Sequence, residues 1–113
     1  MSRIAIIGAG AWGTGLAIVL GRKATHDFRH EVRLWANEPE VLESITKQRI
    51  NERFLPGFIL PESISATNDL NTALDAAEIV VSVMPSQHCR GLFDRMRPLI
   101  QLQTLIVSAT KCL

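Results

Sequence analysis

Residues 3–13 read RIAIIGAGAWG, a short apolar run that passes directly into a G-x-G-x-x-G element. This context predicts a first strand that turns into a helix at a dinucleotide-binding loop. Each glycine has its own role, since Gly8 makes a tight turn, Gly10 lets the main chain approach a pyrophosphate, and Gly13 allows close packing of helix on strand. The helix that begins near Ala11 would offer unpaired N–H groups and a positive dipole end to the phosphates. A glycine turn that serves packing alone is the alternative.

Composition limits the range of functions. The chain has 113 residues, of which 47% are hydrophobic, and a formal net charge of +1. The length and the hydrophobic content predict one domain with one core. The net charge is too small to attract nucleic acid or an anionic membrane as a main partner. We interpret the one basic cluster as a solvated helix end and loop, with a phosphate-binding patch as the alternative; its members are Arg22, Lys23, Arg29, His30 and Arg33.

The two cysteines, Cys89 and Cys112, show neither a CxxC spacing nor a zinc-binding pattern, so we expect no metal site. No disulfide framework is indicated, and Gly8 and Gly10 interrupt the first apolar run before it could form a signal peptide. No run approaches the roughly 20 apolar residues that span a bilayer. The expected compartment is therefore the cytoplasm.

Apolar runs alternate with helical patterns along the chain, in the order β-α-β-α-β-α-β-α-β, as in a parallel sheet. The predicted strands cover residues 3–7, 31–36, 64–67, 79–84 and 104–109. The predicted helices cover residues 12 to about 23, 39 to about 47, 70–77 and the stretch after Ser86, with Cys89, Leu92, Phe93 and Met96 as its buried stripe. Pro56, Gly57 and Pro61 argue against regular structure between them. The fold class is α/β, with a Rossmann-like parallel sheet and helices on both faces.

Several segments in a fixed order resemble the bacterial type of NAD(P)-dependent glycerol-3-phosphate dehydrogenase. They are GAGAWGT at 8–14, VRLW at 32–35, NERFLPG at 51–57 with LP at 60–61, MPS at 84–86 and SATK at 108–111. The resemblance covers residues 4–111. The stretch at 51–57 and the Ala-Thr-Lys stretch at 109–111 are far more specific to the family than the glycine motif. The sequence departs from the family at Gly15, where alanine is usual, at Cys112, where glycine is usual, and at residues 24–29, where the connection is longer than usual.

The resemblance implies a reaction and a domain organisation. The family transfers a hydride from NAD(P)H to dihydroxyacetone phosphate, giving sn-glycerol 3-phosphate for phospholipid synthesis. Residues 1–113 would then be the N-terminal cofactor domain. A helical C-terminal domain that supplies the acid/base lysine is absent from this sequence, so this piece alone is expected to be inactive. The full-length enzyme is expected to be a homodimer.

The resemblance also assigns individual residues. Gly8, Gly10, Ala11, Trp12 and Gly13 match the pyrophosphate loop. In the remaining matches, Asn37 stands at the adenosine ribose, His88 stands near the cofactor, and Lys111 contacts both cofactor and substrate. A surface role for Lys111 and for His88 is the alternative at those two positions, and Trp35 is expected to pack in the core.

The choice between NAD and NADP stays open. It depends on the end of the second strand, where an acidic residue favours NAD and a basic one admits a 2′-phosphate. Asn37 is neutral, Glu38 favours NAD, and Arg33 lies too far back, whereas bacterial members commonly use NADP. Two other functions remain: a dehydrogenase of the β-hydroxyacid type and a non-catalytic NAD(P)-sensing module.

Overall fold

The fold was obtained as a computed structural model that describes residues 2–22, 30–84, 86–101 and 103–108, with residues 86–89 by their helical backbone alone. The strands are β1 (Arg3–Ile7), β2 (Glu31–Trp35), β3 (Ile50–Asn51), β4 (Leu55–Ile59), β5 (Ile64–Thr67), β6 (Ile79–Ser82) and β7 (Leu105–Ser108). The helices are α1 (Ala11–Gly21), α2 (Pro39–Gln48), α3 (Leu70–Leu74) and α4 (Ser86–Met96), followed by a 3-10 turn at Arg97–Leu99.

Five strands form one parallel sheet in the order β5-β2-β1-β6-β7. The chain moves outward from β1 to β2 and β5, then returns to the other side of β1 with β6 and β7. The strand order therefore reverses between β1 and β6, and ligands in open α/β sheets bind in the crevice at such a reversal. All five predicted strands are confirmed, with ends that shift by one or two residues.

Both faces of the sheet are covered. Side chains alternate along β1, so Ile4 and Ile6 join one hydrophobic cluster and Ala5 and Ile7 join the other. Helices α1 and α2 pack on the first face, through Ala17 among others, and α3 and α4 pack on the second. This arrangement confirms the prediction of helices on both sides, and it explains why β1 and β6 are apolar in consecutive positions.

Helix α1 approaches the sheet closely because its buried face consists of small residues, Gly13, Thr14, Ala17 and Gly21. A Cβ at Gly21 would lie 2.8 Å from the Ile64 side chain, so the close approach continues to the end of the helix. Helix α2 is amphipathic instead and buries Val41 and Ile45, one turn apart. Pro39 begins α2 as predicted, and Glu38 is its N-cap, although its side chain makes no capping hydrogen bond.

The second face differs from the prediction in two places. Leu92 and Met96 of α4 are buried as expected, but Phe93 is 41% exposed and packs beside Arg97 instead of in the core. Cys89 lies outside the residues whose side chains are described. Helix α3 is capped by Asp69, which accepts a hydrogen bond from the Asn71 N–H, but it ends at Leu74 and not at residue 77.

The prediction of irregular structure around Pro56, Gly57 and Pro61 is wrong. Leu55–Ile59 form β4, which pairs with β3 in an irregular antiparallel hairpin between α2 and β5. Proline is tolerated there because the hairpin is separate from the main sheet and β4 has an open edge. Gly57 takes φ +87°, a conformation that glycine adopts without strain.

Arg33 also differs from its predicted role as a solvated charge. Its guanidinium donates hydrogen bonds to the carbonyl oxygens of Thr72 (2.8 Å) and Asp75 (2.9 Å) at the end of α3 and pairs with Glu31. It therefore fixes α3 on β2. Lys23 and Arg29 of the predicted basic cluster lie outside the described residues.

Candidate functional site

An open cleft of about 710 Å³ lies beyond the carboxyl ends of β1, β2 and β6. One wall is the glycine turn of residues 8–13, and a second is formed by Val83 and Met84 after β6. Trp35, Asn37 and Glu38 line it where β2 ends. The cleft thus occupies the position where the strand order reverses.

Gly8 turns the chain sharply out of β1. Its φ is +125°, a value that side chains with a Cβ rarely adopt, and its N–H donates to the Trp35 carbonyl at 3.1 Å. An added Cβ would lie 2.9 Å from Val83 Cγ2 and 3.2 Å from Met84 Sδ. Both the conformation and the space therefore require glycine, in agreement with the predicted tight turn.

Gly13 and Gly10 differ in what surrounds them. A Cβ at Gly13 would lie 1.9 Å from the Gly8 carbonyl oxygen, because the first turn of α1 rests directly on the end of β1. Among the residues that the structure describes, no atom lies within 4 Å of a Cβ built at Gly10. Packing alone therefore explains Gly13 but not Gly10. The space beside Gly10 opens into the cleft.

The amino end of α1 has no cap among the side chains that the structure describes. Gly10, which has no side chain, is the N-cap residue, and the first turn holds no acidic residue. The first N–H groups of a helix have no partner within the helix, and the dipole makes this end positive. Ala11 and Trp12 of this turn are exposed and line the cleft, and Trp12 is 67% exposed. The arrangement suits a phosphate group.

Asn51, from the β3–β4 hairpin, holds the glycine turn from behind and has no counterpart among the predicted site residues. Its side chain is fully buried, and Nδ2 donates to the Ala9 carbonyl and to Thr14 Oγ1, both at 2.8 Å. Its Oδ1 accepts a hydrogen bond from the Phe54 N–H at 3.2 Å. The side chain thus uses both of its donors and one of its two acceptor lone pairs. These three hydrogen bonds join the hairpin, the glycine turn and α1.

The other end of the cleft is more exposed and carries charge. Asn37 is exposed, Glu38 is half-buried, and Arg95 of α4 lines the opposite side. Trp35 is buried as predicted, with its indole Nε1 donating to the Asn68 carbonyl at 2.9 Å. Arg95 was not recognised in the sequence, because only the packing of α4 against Trp35 brings it to the cleft.

The structure brings together six of the eight predicted site residues. They all line the cleft and are Gly8, Gly10, Ala11, Trp12, Gly13 and Asn37. The side chain of His88 and the whole of Lys111 lie outside the described residues. Phe54 also lines the cleft and is half-buried.

Away from the cleft, Glu43 and Lys47 form an exposed ion pair, and each residue shifts the pKa of the other. Lys47 donates a hydrogen bond of 2.8 Å to Glu43 one turn earlier on α2. This bond, with the attraction between the charges, lowers the pKa of Glu43 and raises the pKa of Lys47. The pair supports α2 and does not reach the cleft.

Within the described ranges, no group of three His, Cys, Asp or Glu side chains could hold a metal ion. Over the same residues, no helix is both long enough and apolar enough to pass through a membrane.

The parallel sheet with reversed strand order and the glycine turn against an uncapped helix together define a Rossmann-like domain. The family model described as the N-terminus of NAD-dependent glycerol-3-phosphate dehydrogenase matches residues 3–113. The chain belongs to this family.

Individual relatives agree with this family. A glycerol-3-phosphate dehydrogenase (NAD(P)+) of Koribacter versatilis is 55% identical over 111 residues, which are 98% of this chain and 32% of that protein. The crystal structure of glycerol-3-phosphate dehydrogenase from Coxiella burnetii matches with a TM-score of 0.89 at 38% identity, over 99% of this chain and 33% of that one. The enzyme of Saccharomyces cerevisiae matches with a TM-score of 0.88 at 26% identity, over 97% and 33%. The chain spans about a third of the length of these relatives.

Proposed function

We propose that this chain is the dinucleotide-binding domain of a glycerol-3-phosphate dehydrogenase and that NAD or NADP occupies the cleft. The observation that carries the proposal is the contrast between Gly13, which packing requires, and Gly10, which faces open space. A turn built only for packing does not require glycine at position 10, because a side chain would have room there. A phosphate group against the main chain gives one.

In this proposal the pyrophosphate lies against the N–H groups of Ala11, Trp12 and Gly13 at the uncapped end of α1. Gly8 directs the chain away from β1 so that these groups face the cleft, and Asn37 lies at the adenosine ribose. His88 and Lys111 are proposed as contacts on the nicotinamide side, on the strength of the family motifs around them. The ammonium group of Lys111 would also favour the negative charge that develops on the substrate oxygen.

The titration of this chain with NADH and NADPH tests cofactor binding, with quenching of tryptophan emission as the signal. Trp12 is the expected reporter because it is exposed and lines the cleft, whereas Trp35 is buried. We expect saturable binding that Gly10→Val weakens at least tenfold, since the valine side chain takes the space of a phosphate. Gly15→Ala is the matched control, because Gly15 lies one turn further along α1 and outside the cleft lining. Equal binding by Gly10→Val and the unchanged chain would contradict this placement of the phosphates.

The reaction proposed for the full-length protein is hydride transfer between the nicotinamide and dihydroxyacetone phosphate, giving sn-glycerol 3-phosphate. The support is membership of the family and the names of relatives three times as long. The test is oxidation of NADH or NADPH by the full-length protein with dihydroxyacetone phosphate. Activity with a hydroxy acid and none with the triose phosphate would select a β-hydroxyacid dehydrogenase instead. Roles in phospholipid synthesis and in the cytoplasm follow from this proposal.

We further propose that residues 1–113 are followed in the full-length protein by a helical substrate domain with the acid/base lysine, and that this protein is a homodimer. β7 lies at an edge of the sheet and exposes Leu105, Ile106 and Val107, which suits coverage by further chain. Light scattering should show concentration-dependent association of this chain and a dimeric mass for the full-length protein. A monomer at high concentration of both would contradict the proposal.

A further inference from the structure

Arg95 places a positive charge at the end of the cleft where β2 ends. It lies near the end of α4, is exposed, and its guanidinium carbon is 6.0 Å from the centre of the Trp35 ring. Trp35 is the last residue of β2, and Asn37 and Glu38 follow within three positions. All four residues line the same cleft.

No carboxylate of the described residues pairs with this charge. The ion pairs found among the described residues use Arg3, Arg33, Lys47 and Arg53 as their cations. Arg95 belongs to none of them. Over the same part of the chain, it is also the one basic residue in the cleft lining, and Glu38 is the one acidic residue there.

We propose that Arg95 binds the 2′-phosphate of NADP and so gives this domain its affinity for the phosphorylated cofactor. The inference rests on the proposed function, which brings the adenosine ribose to the end of β2. Enzymes of this class hold a 2′-phosphate with a nearby arginine. Directly after β2 this chain has a neutral and an acidic residue instead, and the cation comes from α4 on the opposite wall.

The setting of Arg95 favours this role. A guanidinium group binds phosphate through two parallel hydrogen bonds, and contact with the Trp35 ring restricts its position before any ligand arrives. Glu38 opposes it, because a carboxylate near the ribose accepts hydrogen bonds from the 2′-hydroxyl of NAD but repels a phosphate. The two charges together predict a domain that binds both cofactors.

The test is the dissociation constant of NADH and of NADPH for this chain, for Arg95→Gln and for Arg95→Lys. We expect Arg95→Gln to weaken the binding of NADPH about tenfold and to change the binding of NADH less than twofold, since NADH has no 2′-phosphate. Arg95→Lys should recover part of the loss, because it restores the charge but not the paired hydrogen bonds. Raising the salt concentration should weaken the binding of NADPH relative to that of NADH more in the unchanged chain than in Arg95→Gln.

Arg97→Gln is the matched control. Arg97 follows α4 directly, is exposed, and stacks on Phe93 outside the cleft lining, so its loss should leave both cofactors unaffected. Equal weakening of NADH and NADPH by Arg95→Gln would show contact with the adenine and would overturn the proposal. Unchanged binding of both would overturn it as well. If neither cofactor binds the unchanged chain, the proposed function itself fails.

Discussion

The two ends of the cleft are built in different ways. At the glycine turn, main-chain groups are fixed by burial: Gly8 donates to the end of β2, and Asn51 holds the Ala9 carbonyl. At the other end, Asn37 and Arg95 are exposed side chains. The position of a phosphate site is thus a property of the fold, whereas the choice of cofactor rests on side chains that the fold does not need. Substitutions should therefore lower stability at the first end and change selectivity at the second.

The largest loss of stability is expected for Gly13→Ala. Its new Cβ would lie 1.9 Å from the Gly8 carbonyl oxygen and 2.8 Å from Val83 Cγ2, so α1 must move away from β1. We expect the free energy of unfolding to fall by about 3 kcal/mol or more, at the upper end of overpacking costs. Urea unfolding measures this loss, with Gly15→Ala as the control for the same change in the same helix. A loss below about 1 kcal/mol would mean that the turn is not held rigidly, and the contrast between the two ends would break down.

The second largest effect is expected for Asn51. Asn51→Ala leaves the Phe54 N–H without its acceptor and takes a strong donor from the Ala9 carbonyl, which should cost about 2–3 kcal/mol of stability. Asn51→Asp should cost more at neutral pH, because a carboxylate would face that carbonyl, and less in acid, where the protonated group regains a donor. Urea unfolding at both pH values checks the order, with the exposed Asn71→Ala as control. Equal losses for Asn51→Ala, Asn51→Asp and Asn71→Ala would contradict the role of Asn51.

The sequence predicts the five parallel strands and the glycine turn because their signals are local. The apolar runs of β1 and β6 and the spacing of Gly8, Gly10 and Gly13 depend only on neighbours in the chain. Burial on both faces and the parallel order follow from the alternation of strands with helices. The glycine turn is accordingly the part of the cleft for which the sequence predicts the most lining residues.

The parts that the sequence missed depend on distant contacts. Asn51 lies 42 residues from Ala9, and no pattern near it indicates this contact. Arg95 reaches the cleft only because α4 packs beside Trp35. The prediction that Phe93 is buried is wrong because no element among the described residues covers its face of α4. The hairpin was missed because Pro56 and Gly57 suppress strand propensity, yet an isolated edge tolerates both.

A gain of stability is expected for Gly15→Ala. No atom of the described residues outside α1 lies within 4 Å of the position of its Cβ. Because Gly15 is inside α1, alanine should stabilise the helix by about 0.5–1 kcal/mol. Cofactor affinity should not change, because Gly15 does not line the cleft. Urea unfolding and the fluorescence titration measure the two effects separately. A loss of stability would show that α1 has less free space than its packing indicates.

The smallest effect on stability, and the sharpest test of the contrast, is expected for Glu38→Gln. The Glu38 side chain makes no capping hydrogen bond to α2, so the free energy of unfolding should change by less than about 0.5 kcal/mol. Selectivity should nevertheless move toward NADPH by several-fold, because the variant no longer repels a 2′-phosphate and accepts hydrogen bonds from the ribose less strongly. Glu52→Gln is the matched control, since it removes the same charge from an exposed residue outside the cleft lining. If Glu38→Gln instead destabilised the fold as much as Asn51→Ala, the residues after β2 would also be needed for folding. Cofactor selectivity could then not be altered there without loss of stability.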